Sequence, residues 1–250
     1  MTVIRAMRVF IVHAHPEAKS FSGAMTRTAT EALRAAGNEV VISDLYAMGF
    51  NPVSDRRNFT TVRDPAYFRQ QAEEAHAASH DGFATELQQE MDKLFWCDVL
   101  ILQFPLWWFG LPAILKGWVD RVFASGGRTY GGGKWYDRGV FVGKRAMCAL
   151  TIGGPESMYS ERGLNGALST ILFPINHGML YFTGFTVIEP FVVHAPVRKT
   201  DEERAAELGR YRERVLGLAT AATISYPKLA DYDERYVLRA TPEGKTVSKS

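Results

Sequence analysis

The chain has 250 residues, 46% hydrophobic and 22% charged, with a formal net charge of +2. This is ordinary globular composition and enough length for a sizeable core. Near-neutral charge without a long basic run leaves no electrostatic footprint for nucleic acid, so no such partner is expected.

"MRVFIVHAH" is a short apolar run and reads as a buried strand. The helix after it can be capped by Ser20 or Ser22. Met25, Ala29, Ala32 and Leu33 mark its apolar face, and Gly37 is a natural stop. "EVVISDL" is the second strand, so the start of the chain is a βαβ unit, whose strands run parallel.

From Asn51 to about Gly82 the pattern weakens, and "NPVSDRRNFTTVRDP" reads as loop. "ATELQQEMDKLFW" is helical, with Leu87, Met91 and Leu94 on one face. "CDVLILQF" is a third strand, apolar enough to be covered on both faces. Between Val99 and Val119 the only strongly polar side chains are Gln103 and Lys116. A membrane span needs about 20 apolar residues, but Pro105, Gly110 and Pro112 interrupt this stretch. A strand, a turn and a helix fit it better, so no integral membrane segment is expected. In that helix Leu111, Ile114, Leu115, Trp118, Val119 and Val122 follow the three-four spacing, and Pro112 suits its first turn.

"GGRTYGGGKWYDRG" is a glycine-rich loop, and "KRAMCALTIGG" is a fourth strand. "ALSTILFPINHGMLYF" is expected to be helical, with Pro174 kinking it or marking its start. "FTVIEPFVVHAP" is a fifth strand. Thr200 and Glu203 form a capping box ahead of a final amphipathic helix. The tail after Tyr226 is polar and irregular, giving one domain over 1–226 and a tail over 227–250. Cys97 and Cys148 lie far apart in no metal or redox spacing, and the N-terminus lacks a signal-peptide pattern. Reduced core cysteines and a cytoplasmic location are expected.

Alternating strands and helices predict an α/β doubly wound sheet, which binds ligands beyond the carboxyl ends of its strands. Those ends carry "HAHPEAKSFS", "QFPLWWFG" and "TIGGPESMY". The first offers a helix N-terminus with hydroxyls and His15, a setting for a phosphate or for simple capping. It holds neither G-x-x-x-x-G-K-[ST] nor G-x-G-x-x-G. The second places three aromatics on a turn bounded by Pro and Gly, a surface for a flat conjugated ligand. The third joins a Gly pair to Tyr159, whose hydroxyl can donate to a developing anion. Ser157 and Ser160 lack a G-x-S-x-G elbow. His13 and His15 are expected on one strand face, but no third ligand is evident and no metal site is expected.

"HPEAKSFSGAM", "EVVISDLYAMGFNP", "QFPLWWFGLPAILKGWVDRVF", "YDRGVF", "TIGGPESMYS" and "GFTVIEP" together resemble the NAD(P)H:quinone oxidoreductases. These are the DT-diaphorase family of flavodoxin-like flavoproteins. The resemblance spans Arg8 to Leu218. It implies a five-stranded parallel sheet in the order 2-1-3-4-5 with helices on both faces. It also implies a homodimer that binds FAD, with FMN the lesser alternative, and uses NADH or NADPH as electron donor. His15, Ser20, Phe21 and Ser22 match the pyrophosphate loop. Pro105, Leu106, Trp107, Trp108 and Phe109 match the segment along the isoalloxazine ring. Thr151, Ile152, Gly153, Gly154 and Tyr159 match its other edge. Arg204 falls where the family has an arginine near the cofactor.

In the family the active site lies at the dimer interface. Tyr130 and Phe182 match residues that reach the partner's pocket, where Trp108 and Phe109 also meet substrate. The apolar faces of "LFPINHGMLYFTGF" are then expected at the interface. The implied reaction is ping-pong hydride transfer from a reduced nicotinamide to a quinone, with Tyr159 and Asn165 as catalytic residues.

Three departures stand out. Asn165 replaces the histidine of the best-known branch, and an amide cannot shuttle a proton near neutral pH. An Asn-bearing branch prefers a dihydronicotinamide riboside. Trp107 occupies a position that is commonly glutamine. The tail shows no clear match to the longer branch's extra donor-binding segment. His177 aligns with one metal ligand of the Asn-bearing branch, but the next position is Tyr181. Two non-enzymatic alternatives are a flavodoxin-like electron carrier and a regulatory subunit of a potassium-efflux system.

Overall fold

The computed structural model describes residues 6–239. Strands β1 (Arg8–His13), β2 (Glu39–Asp44), β3 (Val99–Pro105), β4 (Arg145–Ile152) and β5 (Thr186–His194) form one parallel sheet in the order β2-β1-β3-β4-β5. The helices are α1 (Phe21–Ala35), α2 (Gln70–Ser79), α3 (Thr85–Trp96), α4 (Ala113–Val122), α5 (Leu168–Ile175) and α6 (Asp201–Leu216).

Strand alternation splits the core in two. Val9, Ile11, Val99, Ile101, Met147 and Ala149 pack with Met25, Ala29 and Leu33 of α1 and Tyr211 and Val215 of α6. Phe10, Val12, Leu100, Leu102, Cys148 and Leu150 face the other way, onto Leu87 and Met91 of α3, Leu115 and Trp118 of α4, and Leu172 of α5. Both faces of β3 are therefore buried, which is why it reads as an unbroken apolar run. Both cysteines are free and buried, and burial pushes each thiol up to about 12.

The local signals act as expected at several helix ends. Ser20 caps α1 by accepting from the Gly23 N–H at 3.0 Å, and Gly37 follows its last turn with a φ of +80°. Thr200 and Glu203 exchange side-chain-to-backbone bonds at 3.2 and 2.7 Å ahead of α6.

Two segments differ from expectation. The weakly patterned stretch contains α2, which buries Glu73 and Glu74 rather than an apolar stripe. Glu73 accepts from the N–H groups of Arg63 and Asp64, and Glu74 from that of Ser125, so the loops supply what periodicity does not show. Pro174 does not mark the start of a helix. It lies in the last turn of α5, and the chain continues through a π-helical turn, Asn176–Tyr181. A proline removes one ladder donor, and such wide turns follow where the regular ladder is interrupted.

Trp118 is fully buried, and its indole N–H donates to Glu90 Oε2 at 2.8 Å. Glu90 Oε1 in turn takes Ser43 Oγ at 3.0 Å and the Lys93 ammonium. Trp118→Ala is expected to destabilise by about 3–5 kcal/mol, read as a lowered urea midpoint with little change in slope.

Candidate active site

The order of the sheet puts a seam between β1 and β3, because β1 leads outward to β2 and β3 leads the other way to β4. Open sheets of this kind bind ligands in the crevice above that seam. Three loops meet there. The His15 and Trp107 rings lie 6.2 Å apart, Ser22 Oγ is 3.2 Å from Thr151 Oγ1, and the Leu106 N–H donates to the Thr151 carbonyl at 2.9 Å.

In the first loop, His15 Nδ1 accepts from the Glu17 N–H at 3.0 Å. The neutral ring then carries its proton on Nε2, as an outward donor. The N–H groups of Phe21 and Ser22 open α1 and have no intrahelical acceptor by position. The two serine hydroxyls are not equal donors. Ser20 Oγ accepts at the cap and keeps its own proton to give, whereas Ser22 Oγ is buried against Thr151. β1 ends at His13, so strand alternation does not place His15. His13 is buried with Nδ1 2.9 Å from Thr26 Oγ1, and burial lowers its pKa. Among the described residues no three metal-ligating side chains cluster.

In the second loop Trp107 and Gly110 exchange backbone bonds at 3.2 and 3.0 Å, closing a two-residue turn. Both central residues are left-handed, Trp108 at φ +50° and Phe109 at φ +59°. Bulky residues rarely adopt this conformation, which costs of order 1–3 kcal/mol. The turn does not bury them: Trp108 is 97% exposed, Phe109 51% and Trp107 40%. The strained turn thus presents its aromatic faces to the outside instead of packing them into the core.

The third loop starts from Thr151 and Ile152, both buried at the end of β4. A Cβ on Gly153 would meet nothing within 4 Å, while one on Gly154 would lie 3.0 Å from the Tyr159 ring. Tyr159 therefore lies against Gly154. The Asn165 N–H returns to the Met158 carbonyl at 2.9 Å, so Tyr159 and Asn165 share one folded loop.

Tyr130 and Phe182, expected to serve a partner's pocket, and Arg204, expected near the cofactor, make their described contacts away from these three loops. Tyr130 and Phe182 pair with each other, ring centres 5.7 Å apart, beside a cavity of about 430 Å³ shared with Glu74, Lys116 and Met179. Arg204 turns back on its own helix start, binding the carbonyls of Pro196 and Lys199 and the carboxylate of Asp201. None of the described contacts joins these three side chains to the loops over the seam. Two features were not anticipated. His194, at the end of β5, packs its ring 5.8 Å from Tyr159. No motif surrounds it, and the only signal was its place at a strand's carboxyl end. The tail also packs back: Tyr181 Oη donates to the Pro227 carbonyl at 2.9 Å, and the Leu229 N–H to Asp137 at 3.0 Å. Tyr232 and Tyr236 thereby join Tyr136, His177 and Phe182 around a second cavity of about 430 Å³. Within the described residues no helix is long and apolar enough to cross a membrane.

Comparison with known proteins gives the class. The flavodoxin-like fold family matches residues 7–215. A guinea-pig protein named NAD(P)H dehydrogenase [quinone] 1 is 43% identical over 209 residues, 83% of this chain and 76% of the relative. The human protein named ribosyldihydronicotinamide dehydrogenase [quinone] is 38% identical, over 83% of this chain and 90% of its own. A solved structure from Klebsiella pneumoniae, described as a candidate quinone reductase, superposes with a TM-score of 0.90 at 37% identity, covering 94% of both chains. Within the flavodoxin-like class, the chain belongs to the NAD(P)H:quinone oxidoreductase family.

Trp108→Ala is expected to leave the urea midpoint nearly unchanged, within about 0.5 kcal/mol. A loss comparable to that of Trp118→Ala would mean the hairpin supports the fold rather than a ligand.

Proposed function

We propose that the chain is an FAD-dependent, two-electron quinone reductase that takes a hydride from NADH or NADPH, donor and quinone using the same slot in turn. Membership of a family of NAD(P)H dehydrogenases acting on quinones supports the enzymatic class. The observation that carries the reading is the strained, outward Trp108–Phe109 turn just beyond β3, where the adjoining Trp107 ring lies 6.2 Å from His15 of the first loop.

The residues fit a flavin dinucleotide. The Phe21 and Ser22 N–H groups, His15 Nε2 and the Ser20 hydroxyl would hold its pyrophosphate, where the α1 dipole favours negative charge. Pro105 to Phe109 and Thr151 to Gly154 would edge its ring. FAD is favoured over FMN because the "SDLYAMGFNP" segment matches the family. When bound, the flavin supplies a ring that can accept a hydride and release it.

The chain's own contribution is placement and electrostatics. Trp108 and Phe109 offer a flat apolar surface for a planar donor or acceptor. Tyr159 and the Asn165 amide supply donors at the edge where negative charge develops. Tyr130 and Phe182 would complete the slot from a second copy. A homodimer is supported by apolar side chains left outside the core, with Leu164 86% and Phe173 51% exposed. The neutral reduced nicotinamide riboside is a second reading for the donor. It is favoured by Asn165 and by relatives named for that donor, including a Penicillium crustosum protein at 41% identity. A cytoplasmic location is part of the same proposal.

Anaerobic stopped flow of the FAD-loaded chain with NADH, NADPH and dihydronicotinamide riboside tests the reading. Flavin bleaching followed by reoxidation with a quinone is expected. Bleaching by the riboside alone would assign the donor, and no bleaching with FAD bound would favour a carrier or regulatory role.

A further inference from the structure

α2 ends in "HAASH", with His76 in its last turn and His80 as the residue that closes it. Side chains one helical turn apart lie on the same face. His80 has already left the helix, at φ −131°, yet its ring still lies over that of His76, centres 4.1 Å apart and planes 29° from parallel. His80 is exposed and His76 half-buried. Among the described residues no other ring packs on this pair, so it is not part of an aromatic core.

The geometry fixes which nitrogen of His80 is open. Its Nδ1 lies 2.8 Å from the His76 carbonyl and 2.9 Å from Ser79 Oγ. A carbonyl oxygen only accepts, so Nδ1 carries the proton and donates it. Ser79 Oγ can share that proton as an acceptor, because its own goes to a carbonyl one turn back, His76 at 2.9 Å or Ala75 at 3.2 Å. The lone pair of the neutral His80 ring is then on Nε2. A histidine that donates one ring N–H to a backbone carbonyl and offers its other nitrogen is preset as a metal ligand. The described hydrogen bonds at His76 use its carbonyl and not its ring. An ion lies in the plane of each imidazole that binds it, so the His76 ring turns out of the stack to meet one, while His80 is already held.

We propose that His76 and His80 form a surface site for a divalent transition-metal ion, copper(II) ahead of nickel(II) or zinc(II). Each residue gives one imidazole nitrogen, and water completes the shell. Imidazole suits these metals, whereas magnesium and calcium prefer oxygen. Among the described residues no third metal-ligating side chain joins the pair, so the shell is open and unlike a closed structural centre. An ion held there ties the last turn of α2 to the residue that ends it. The same helix buries Glu74 against the Ser125 N–H and lines the first cavity with Gln70 and Gln71, so the ion steadies one wall of that cavity. The site requires nothing of the reductase reading.

Isothermal titration of the flavin-free full-length chain with copper(II), nickel(II) and magnesium tests this, together with electron paramagnetic resonance of the copper form. One copper per chain is expected, with nitrogen splitting from two imidazoles, nickel binding more weakly and magnesium not at all. His76→Asn and His80→Asn are each expected to weaken copper binding at least about tenfold and to remove one nitrogen from the spectrum. In the wild type, substoichiometric copper should broaden the NMR ring signals of these two histidines first, a readout that needs no variant to bind metal. Affinity indifferent to both substitutions, loss with only one of them, or broadening that begins at another histidine would overturn the site. Weak uptake of several copper ions per chain would mean adventitious binding only, and would overturn it too.

Discussion

The seam between β1 and β3 is the constraint from which the rest follows. Every strand of the sheet is parallel and β3 is buried on both faces, so a ligand reaches its centre beyond a strand end rather than across a face. Right-handed crossovers send the chain away from the seam on either side and leave a crevice above it. The Ser22–Thr151 and Leu106–Thr151 contacts then tie all three loops to one strand end. A ligand held there touches segments more than a hundred residues apart, yet its geometry depends on a rigid sheet rather than on long loops.

Placement also explains why the three tryptophans of the central stretch differ so much. Trp118 lies on the inner face of α4 with its N–H satisfied by a buried carboxylate. Trp107 and Trp108 lie beyond the strand, where the Gly110 pairing forces a turn that cannot fold its side chains inward. Similar side chains are thus packed into the core at one position and presented to the outside ten and eleven residues earlier.

The fold was largely legible because parallel strands write themselves as apolar runs and helices as three-four stripes. Val99–Pro105 and the Met25–Leu33 face are examples. α2 was not legible, because its buried side chains are glutamates satisfied by loop N–H groups that no period records. The loops over the seam could be named from the sequence, and the structure brings His15, Trp107, Ser22 and Thr151 together. Which hydroxyl of Ser20 and Ser22 remains available could not be read, since that depends on a contact across 129 positions. The placement of His194 was hidden for the same reason: its ring meets Tyr159, on the loop that follows the neighbouring strand. The packed stretch of the tail was hidden too, because its tyrosines find their partners in residues 136–182.

The central claim is that the crevice above the seam is a flavin site built from these three loops. Its most direct test is titration of the flavin-free full-length chain with FAD, followed by tryptophan fluorescence and flavin absorbance, in the wild type and in Trp108→Ala. The account predicts saturation at one FAD per chain, with strong quenching that shrinks when Trp108 is removed. Absence of saturable binding, or quenching indifferent to Trp108, would contradict it.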